Sequence, residues 1–280
     1  MAAQTYFKGE WHAGAPAVMS PMSQSFMHGS TVFDGARAFD GLAPDLDRHC
    51  ARLMRSAEVM GLASPVTAAA LCDLAIAGIK RFPAGSALYV RPALFAEDGF
   101  LIADPKSTQL VLTVFDAPMP APTGFGVCLS SYRRPFPDMA PTGAKAACLY
   151  PLSSMAIKEA QAKGFDNAIM RDGHGNVVEF ASSNLWIGKN GVAITPAPNG
   201  TFLNGVTRQR VMALLRDAGV TVEERALGYD QVLGADEVFS TGNFGKVLPV
   251  TRVDGHDFQP GPIFAKAHEL YFAFARGYRV

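Results

Sequence analysis

The stretch Asp116-Ala117-Pro118-Met119-Pro120-Ala121-Pro122-Thr123-Gly124 constrains this chain most, because neither a helix nor an interior strand can run through it. Its alternate prolines remove backbone donors, fix φ and hold each preceding residue extended. It follows the strand-like run Gln109–Phe115, so it reads as a linker. The expected organisation is a first domain over 1–117, a linker over 118–123 and a second domain over 124–280. With 280 residues in all, the chain is long enough to give each domain its own core.

Hydrophobic periodicity fills in both halves. Ser30–Phe39 reads as a strand interrupted by Gly35. Asp47–Met60 has Leu53, Ala57 and Met60 on one helical face, and Thr67–Phe82 is a second helix. Ala87–Phe95 is a strand whose Pro92 suggests an edge or a bulge. In the second half, 126–132, 167–171, 176–179, 184–188 and 237–241 read as strands, with a turn over Asp172–Asn176. Leu152–Lys163 and Arg208–Ala218 read as helices. The mixture predicts an α+β (or α/β) two-domain chain with more sheet in the second domain.

Composition narrows the function classes. Residues are 49% hydrophobic and 18% charged, which suits a globular protein rather than a disordered one. A net charge of zero argues against a general nucleic-acid binder or a membrane-surface protein. Cys50, Cys72, Cys128 and Cys148 form no Cys-x-x-Cys pair, so neither a zinc ribbon nor a thioredoxin-type site is supported, and no metal is expected. The residues Met1–Glu10 lack the basic and apolar regions of a signal peptide, and no apolar run is long enough for a bilayer. Reduced thiols and a cytoplasmic location are expected.

Two residues carry the chemistry. Lys145 lies among small and apolar neighbours in Pro141-Thr142-Gly143-Ala144-Lys145-Ala146-Ala147. A lysine in such a setting can act as a Schiff-base nucleophile. Glu179 interrupts the apolar run Val177-Val178-Glu179-Phe180-Ala181, and a carboxylate buried there needs a partner. Pyridoxal phosphate needs both, a lysine for its aldehyde and an acid for its pyridine nitrogen. It also needs an anion cup. Gly205-Val206-Thr207 precedes a helix, whose amides and dipole would face a phosphate, although an isolated Gly-x-Thr is more often a simple turn. Arg52 is a candidate charged partner, and Gly242-Asn243-Phe244 a second amide-bearing turn. Arg133 and Arg134 read as solvated loop charges, and His49 as a support for Arg52 or a helix cap.

With these stretches in hand, the chain resembles the class IV pyridoxal-phosphate aminotransferases, which include branched-chain and D-amino acid aminotransferases and aminodeoxychorismate lyase. The matching segments are His28–Arg37, His49-x-x-Arg52-Leu53, Tyr89-Val90-Arg91-Pro92, Pro141–Lys145, Glu179 with Ser183-Asn184-Leu185, Asn204–Arg208 and Asp236–Phe239, in family order from about Gln24 onward. The resemblance implies the fold type IV architecture, D-amino acid aminotransferase-like, with a small N-terminal α/β domain and a larger C-terminal pseudo-barrel domain. It implies that Lys145 binds the cofactor and moves the proton. Glu179 would face the pyridine nitrogen, Tyr150 the phenolic oxygen, and Arg52, Val206, Thr207 and Asn243 the phosphate.

The resemblance leans toward the branched-chain group. Tyr89-x-Arg91 is similar to the pair that binds the α-carboxylate and the distal carboxylate of glutamate or 2-oxoglutarate. Phe33, Arg37, Phe244 and His28 fall at substrate-binding positions. His28 stands where tyrosine is common, Leu149 replaces an asparagine before Tyr150, and Asn243-Phe244 replaces Thr-Ala. The implied activity is transfer of the amino group of leucine, isoleucine or valine to 2-oxoglutarate by a ping-pong mechanism in a homodimer, with a partner loop closing the pocket. A D-amino acid or (R)-amine transaminase, an aminodeoxychorismate lyase and a non-catalytic pyridoxal-phosphate protein are the alternatives.

Overall fold

The computed structural model describes residues 2–280, and among them the chain divides into two units. The first contains the chain up to Met119 together with Gly143–Leu149 and Ala275–Val280; the second contains Pro120–Thr142 and Tyr150–Phe274. The chain first passes from one unit to the other between Met119 and Pro120, and the segment carrying Lys145 returns to the first unit. Nothing in the local composition signals that return.

In the first unit, β1 (Ala3–Phe7) and β2 (Glu10–Ala13) form a hairpin on Lys8-Gly9. Both turn residues have positive φ, 50° and 89°, as a two-residue turn matched to strand twist requires. A short helix α1 (Gln24–His28) follows, capped by the Ser23 hydroxyl, which accepts from Phe26 N. The strand expected over 30–39 is two strands, β3 (Thr31–Phe33) and β4 (Ala36–Ala38), separated at Asp34-Gly35. Helices α2 (Leu46–Val59) and α3 (Ala68–Ile79) precede β5 (Leu88–Ala96) and β6 (Thr108–Asp116). The sheet order is β2-β1-β6-β5-β3, with β4 also on β5, and every pairing is antiparallel.

Pro92 lies in an interior strand, and in place of the expected edge or bulge it faces a break in the neighbouring strands. β6 pairs along the whole of β5, while β3 and β4 take the other side at Ala93–Phe95 and Leu88–Val90. Pro92 falls opposite the Asp34-Gly35 break, where only its carbonyl is used, accepting from Asp34 N at 3.0 Å. The missing amide therefore costs no ladder bond. Leu46, Leu53 and Ala57 of α2 join Leu71 and Ala75 of α3 and Leu88, Val90, Leu94, Leu112 and Val114 of the sheet in one core.

The second unit begins with β7 (Phe125–Arg133), α4 (Tyr150–Ala162), β8 (Asn167–Arg171), β9 (Val177–Phe180), β10 (Asn184–Lys189) and β11 (Val192–Pro196). It continues with α5 (Val206–Asp217), β12 (Val222–Arg225), α6 (Tyr229–Leu233), β13 (Glu237–Gly242), β14 (Lys246–Val253), β15 (His256–Asp257) and α7 (Pro262–Ala275). Its sheet runs β12-β11-β10-β13-β14-β7-β8-β9, with β15 on β14. Alternation along β10 sorts the two faces: Leu185 and Ile187 join Val127, Ile169 and Val250, while Trp186 joins Val211 of α5 and Tyr271 of α7. The two sheets and their helices give the α+β architecture.

Candidate active site

Each unit holds a set of the expected site residues. In the first, the segment bearing Lys145 is stitched to two elements. Lys145 N donates to Ser56 Oγ of α2 at 3.0 Å, and Phe33 N donates to Lys145 O at 3.1 Å. An antiparallel bridge from Val32 to Ala146 adds to this. The half-buried Lys145 side chain places Nζ 4.9 Å from the centre of the Phe33 ring. Ala144 and Ala146 on either side are fully buried. Main-chain bonds fix Lys145, and its amine stands against an apolar wall.

Next to Phe33, Asp34 is fully buried. Its Oδ2 accepts from Arg52 Nε at 2.7 Å and its Oδ1 from Arg52 Nη2 at 2.8 Å, with His49 Nδ1 also 2.7 Å from Oδ1. Burial alone would raise this carboxyl, but the Arg52 and His49 charges outweigh it and hold it well below the usual carboxylate range. Arg52 was expected as a phosphate ligand; here two of its nitrogens are held by Asp34, which fixes the guanidinium. His49, Arg52 and Ser56 lie three and four residues apart, so the groups that hold Asp34 and Lys145 share one stripe of α2.

Tyr89 and Arg91 point to the same side of β5. The Tyr89 hydroxyl lies against Gly35, where a Cβ would overlap it. Its ring stacks on Phe115 at 5.4 Å, and the exposed Arg91 covers the same Phe115 ring at 5.1 Å. Arg37, expected at a substrate-binding position, lies beside this pair. It is 0% exposed, its Nη1 and Nη2 donate to Ala117 O and Pro118 O at 2.7 and 2.9 Å, and its guanidinium lies 5.7 Å from the Tyr89 ring. Its charge serves the start of the linker, and burial lowers its pKa. His28 is exposed at the end of α1, its ring 6.5 Å from that of Phe100.

In the second unit, Glu179 on β9 is buried, and Oε1 pairs with Arg134 Nε at 2.9 Å. Arg134 also donates to Ser153 Oγ and Ala181 O, at 2.9 and 2.8 Å. It is thus a largely covered partner rather than the solvated loop charge expected; Arg133, by contrast, is exposed. The signal was the partner that a glutamate buried in Val177–Phe180 must have. Phe180 N donates to Ser183 O, closing a tight turn that sets Asn184 beside Glu179. Asn184 Nδ2 donates to Glu179 Oε2 at 3.3 Å and to Leu203 O at 3.0 Å.

Val206 and Thr207 are buried in the first turn of α5, two residues earlier than the expected helix start. The N-cap Gly205 supplies no side chain, so the first-turn amides have no side-chain cap. Arg208, fully buried, anchors this start through Asn204 Oδ1, Thr195 Oγ1, Pro196 O and Glu224 Oε1. β10 and β13 pair Asn184 with Thr241, so the turn 242–246 follows immediately. There Lys246, 1% exposed, donates to Asn243 Oδ1 at 2.7 Å, and Asn243 Nδ2 is a buried donor with no partner among the described residues. Phe244 is 61% exposed on a pocket of about 430 Å³ that Phe125, Asn167, Ser183, Gly242 and Lys246 also line. Tyr150, half-buried, opens α4.

Residues 31–253 match the family described as amino-transferase class IV. The chain belongs to the class IV aminotransferases, which are pyridoxal-phosphate enzymes. A solved aminotransferase from Brucella abortus bound to that cofactor superposes with a TM-score of 0.97 at 44% identity, covering 99% of this chain and 100% of that one. The branched-chain aminotransferase of Thermoproteus uzoniensis, solved with norvaline, gives a TM-score of 0.91 at 30% identity, covering 99% and 96%. A probable branched-chain-amino-acid aminotransferase of Aquifex aeolicus is 31% identical over 97% of this chain and 92% of its own. The residues present suit the cofactor: a lysine on an apolar wall, a buried carboxylate, an uncapped helix start and an unpartnered buried amide.

Proposed function

We propose that this enzyme exchanges the amino group between leucine, isoleucine or valine and 2-oxoglutarate, in two half-reactions on one pyridoxal phosphate. The observation that carries this reading is the pairing of Tyr89 and Arg91 on one side of β5, with Phe33 beside Lys145. A pocket for both substrates needs an apolar wall for the aliphatic side chain and a peripheral cation for the second carboxylate. Phe33 suits the first task and the exposed Arg91 the second. The Tyr89 hydroxyl would take the α-carboxylate.

When bound, the cofactor supplies an electron sink for the carbanion left at the substrate α-carbon. Lys145 Nζ would hold the cofactor carbonyl and then, released from it, carry the proton between the substrate α-carbon and the cofactor C4′. Glu179, oriented by Arg134 and Asn184, would keep a proton on the pyridine nitrogen. The first-turn amides at Val206 and Thr207, the Asn243 amide and the oriented Arg52 would hold the phosphate. Tyr150 would donate to the phenolic oxygen, and Phe244 would shield the substrate side. Arg37 would order the linker carbonyls of Ala117 and Pro118 beside Tyr89.

The active form in this reading is a homodimer. Met22, Phe26 and Met27 around α1 and Phe100, Leu101 and Ile102 are 63–89% exposed, and the His28–Phe100 contact joins the two clusters. So many large apolar side chains in one region suit burial by a second copy, with His28 beside that surface. All four cysteines are free, as suits the cytoplasm. Among the described residues no helix is long and apolar enough to cross a membrane.

The test is a half-reaction on the cofactor-loaded enzyme, following loss of the visible cofactor band. L-leucine and L-glutamate should bleach it, and D-alanine and (R)-1-phenylethylamine should not. Bleaching by only the latter pair would assign the enzyme to the opposite stereochemical class. Release of pyruvate from aminodeoxychorismate would make it a lyase. Lys145→Ala should lower turnover by at least about 10³-fold, and normal turnover in that variant would remove the catalytic assignment.

A further inference from the structure

Gly205 raises a question that its conformation does not answer. Its φ of −61° and ψ of 141° suit any residue, and an N-cap normally favours a side chain that accepts from the helix amides. Glycine is needed for room: a Cβ at 205 would overlap Asn184 Oδ1. The Asn184 orientation is in turn determined. Glu179 Oε2 and Leu203 O are both pure acceptors, so the Asn184 amide must turn both of its N–H groups toward them. That leaves Oδ1 facing Gly205. One buried carboxamide therefore touches the acid on β9, the loop before α5 and the N-cap itself.

We infer that Asn184 is a positioning residue that sets the spacing between the Glu179 carboxylate and the N-terminus of α5. The inference rests on the reading of these two groups as holders of the pyridine nitrogen and the phosphate. Both belong to one rigid ring and its short arm, so their protein partners need a fixed separation. A covalent link cannot provide it, because Glu179 and Val206 are joined by a long excursion through β10 and β11. Asn184 bridges the gap directly. Its own backbone is held by the Phe180–Ser183 turn on one side and by pairing with Thr241 on the other. Gly205 completes the device by letting the N-cap backbone close on the carboxamide. Asn184 does not itself reach the cofactor in this assignment.

The experiment is a double-mutant cycle read by the dissociation constant of pyridoxal phosphate from the apoenzyme, with inorganic phosphate binding as a second readout. Gly205→Ala and Asn184→Ala should each weaken pyridoxal phosphate by about tenfold. The double variant should stay near the Asn184→Ala value instead of reaching about 100-fold, because no Oδ1 remains to be displaced. Asn184→Ala should bind inorganic phosphate within about twofold of the wild type, since the α5 amides are intact.

Asn184→Asp keeps the volume and serves if the alanine variant fails to fold. It turns an oxygen toward Glu179 and Leu203 in place of the nitrogen, so it should lose affinity for pyridoxal phosphate. It retains the atom facing Gly205, so adding Gly205→Ala should cost a further factor. Additive losses in the alanine cycle would overturn the coupling, and so would equal losses of phosphate and pyridoxal phosphate in Asn184→Ala. Failure of the wild type to bind pyridoxal phosphate would instead overturn the reading of the site on which the inference rests.

Discussion

Two buried carboxylates, Asp34 in the first unit and Glu179 in the second, are each clamped by an arginine, yet the clamps are built differently. Asp34 takes both of its charged or ionisable partners from a single helix: Arg52 on both oxygens and His49 on one. Glu179 takes Arg134 from the segment after β7 and Asn184 from β10. The first arrangement locks one helix onto the β3–β4 break and orients a cation. The second ties separate chain segments around an acid. The arginines differ as well. Arg134 divides its nitrogens between the carboxylate, Ser153 and Ala181, and Arg52 places two nitrogens on the two oxygens of Asp34. On the proposed function, the same pair of residue types would serve mainly stability in one place and mainly chemistry in the other.

Isosteric neutralisation of each acid tests that division. Glu179→Gln has the largest expected effect on function. Turnover should fall about 10²–10⁴-fold, because the amide cannot keep a proton on the pyridine nitrogen. Stability should fall by only about 1–3 kcal/mol, since Arg134 keeps two acceptors. Asp34→Asn should do the reverse. Leaving Arg52 without its carboxylate should cost about 3–5 kcal/mol of folding free energy, read by urea unfolding. Its functional deficit should appear as weaker cofactor affinity, with turnover at saturating cofactor largely kept. Equal stability losses in the two variants would erase the distinction.

The two clamps were unequally legible in the sequence. Glu179 stands out because it interrupts an apolar strand, and Lys145 because its neighbours are small. Asp34 is hidden in a run whose glycine reads as an interrupted strand, and only the folded β3–β4 break reveals it as a buried acid opposite α2. Arg134 was obscured by its proline-rich loop, since sequence spacing does not show that Ser153, Glu179 and Ala181 converge on it. Arg37 shows the converse. Its position in a recognisable motif suggested substrate, while its burial and its bonds to Ala117 and Pro118 depend on a contact 80 residues away in the chain. Helices α2 to α5 and the strands that carry the site were readable from periodicity. The β1–β2 hairpin, with a turn that needs positive φ at Lys8, and the return of Gly143–Leu149 to the first unit were not, because both depend on tertiary pairing.

The smallest expected effect concerns pH and separates the clamps without comparing activities. Asp34 ionises in the folded state well below its ordinary value of 3.8, because Arg52 and His49 overcome the cost of burial. A group whose pKa is depressed on folding stabilises the protein fully above its unfolded pKa. As pH falls below that value the unfolded chain takes up the proton first, and the contribution drains away until the folded pKa is passed. The stability gap between the wild type and Asp34→Asn should therefore stay level from about pH 7 to about pH 4, then shrink by at most about 1.4 kcal/mol per pH unit. Urea unfolding of both proteins across that range measures it. A gap that widened as pH fell from about 7 to about 4 would instead transfer part of the stabilisation to a protonated His49 held by the Asp34 carboxylate, because a cation bound in the folded state adds stability as pH falls.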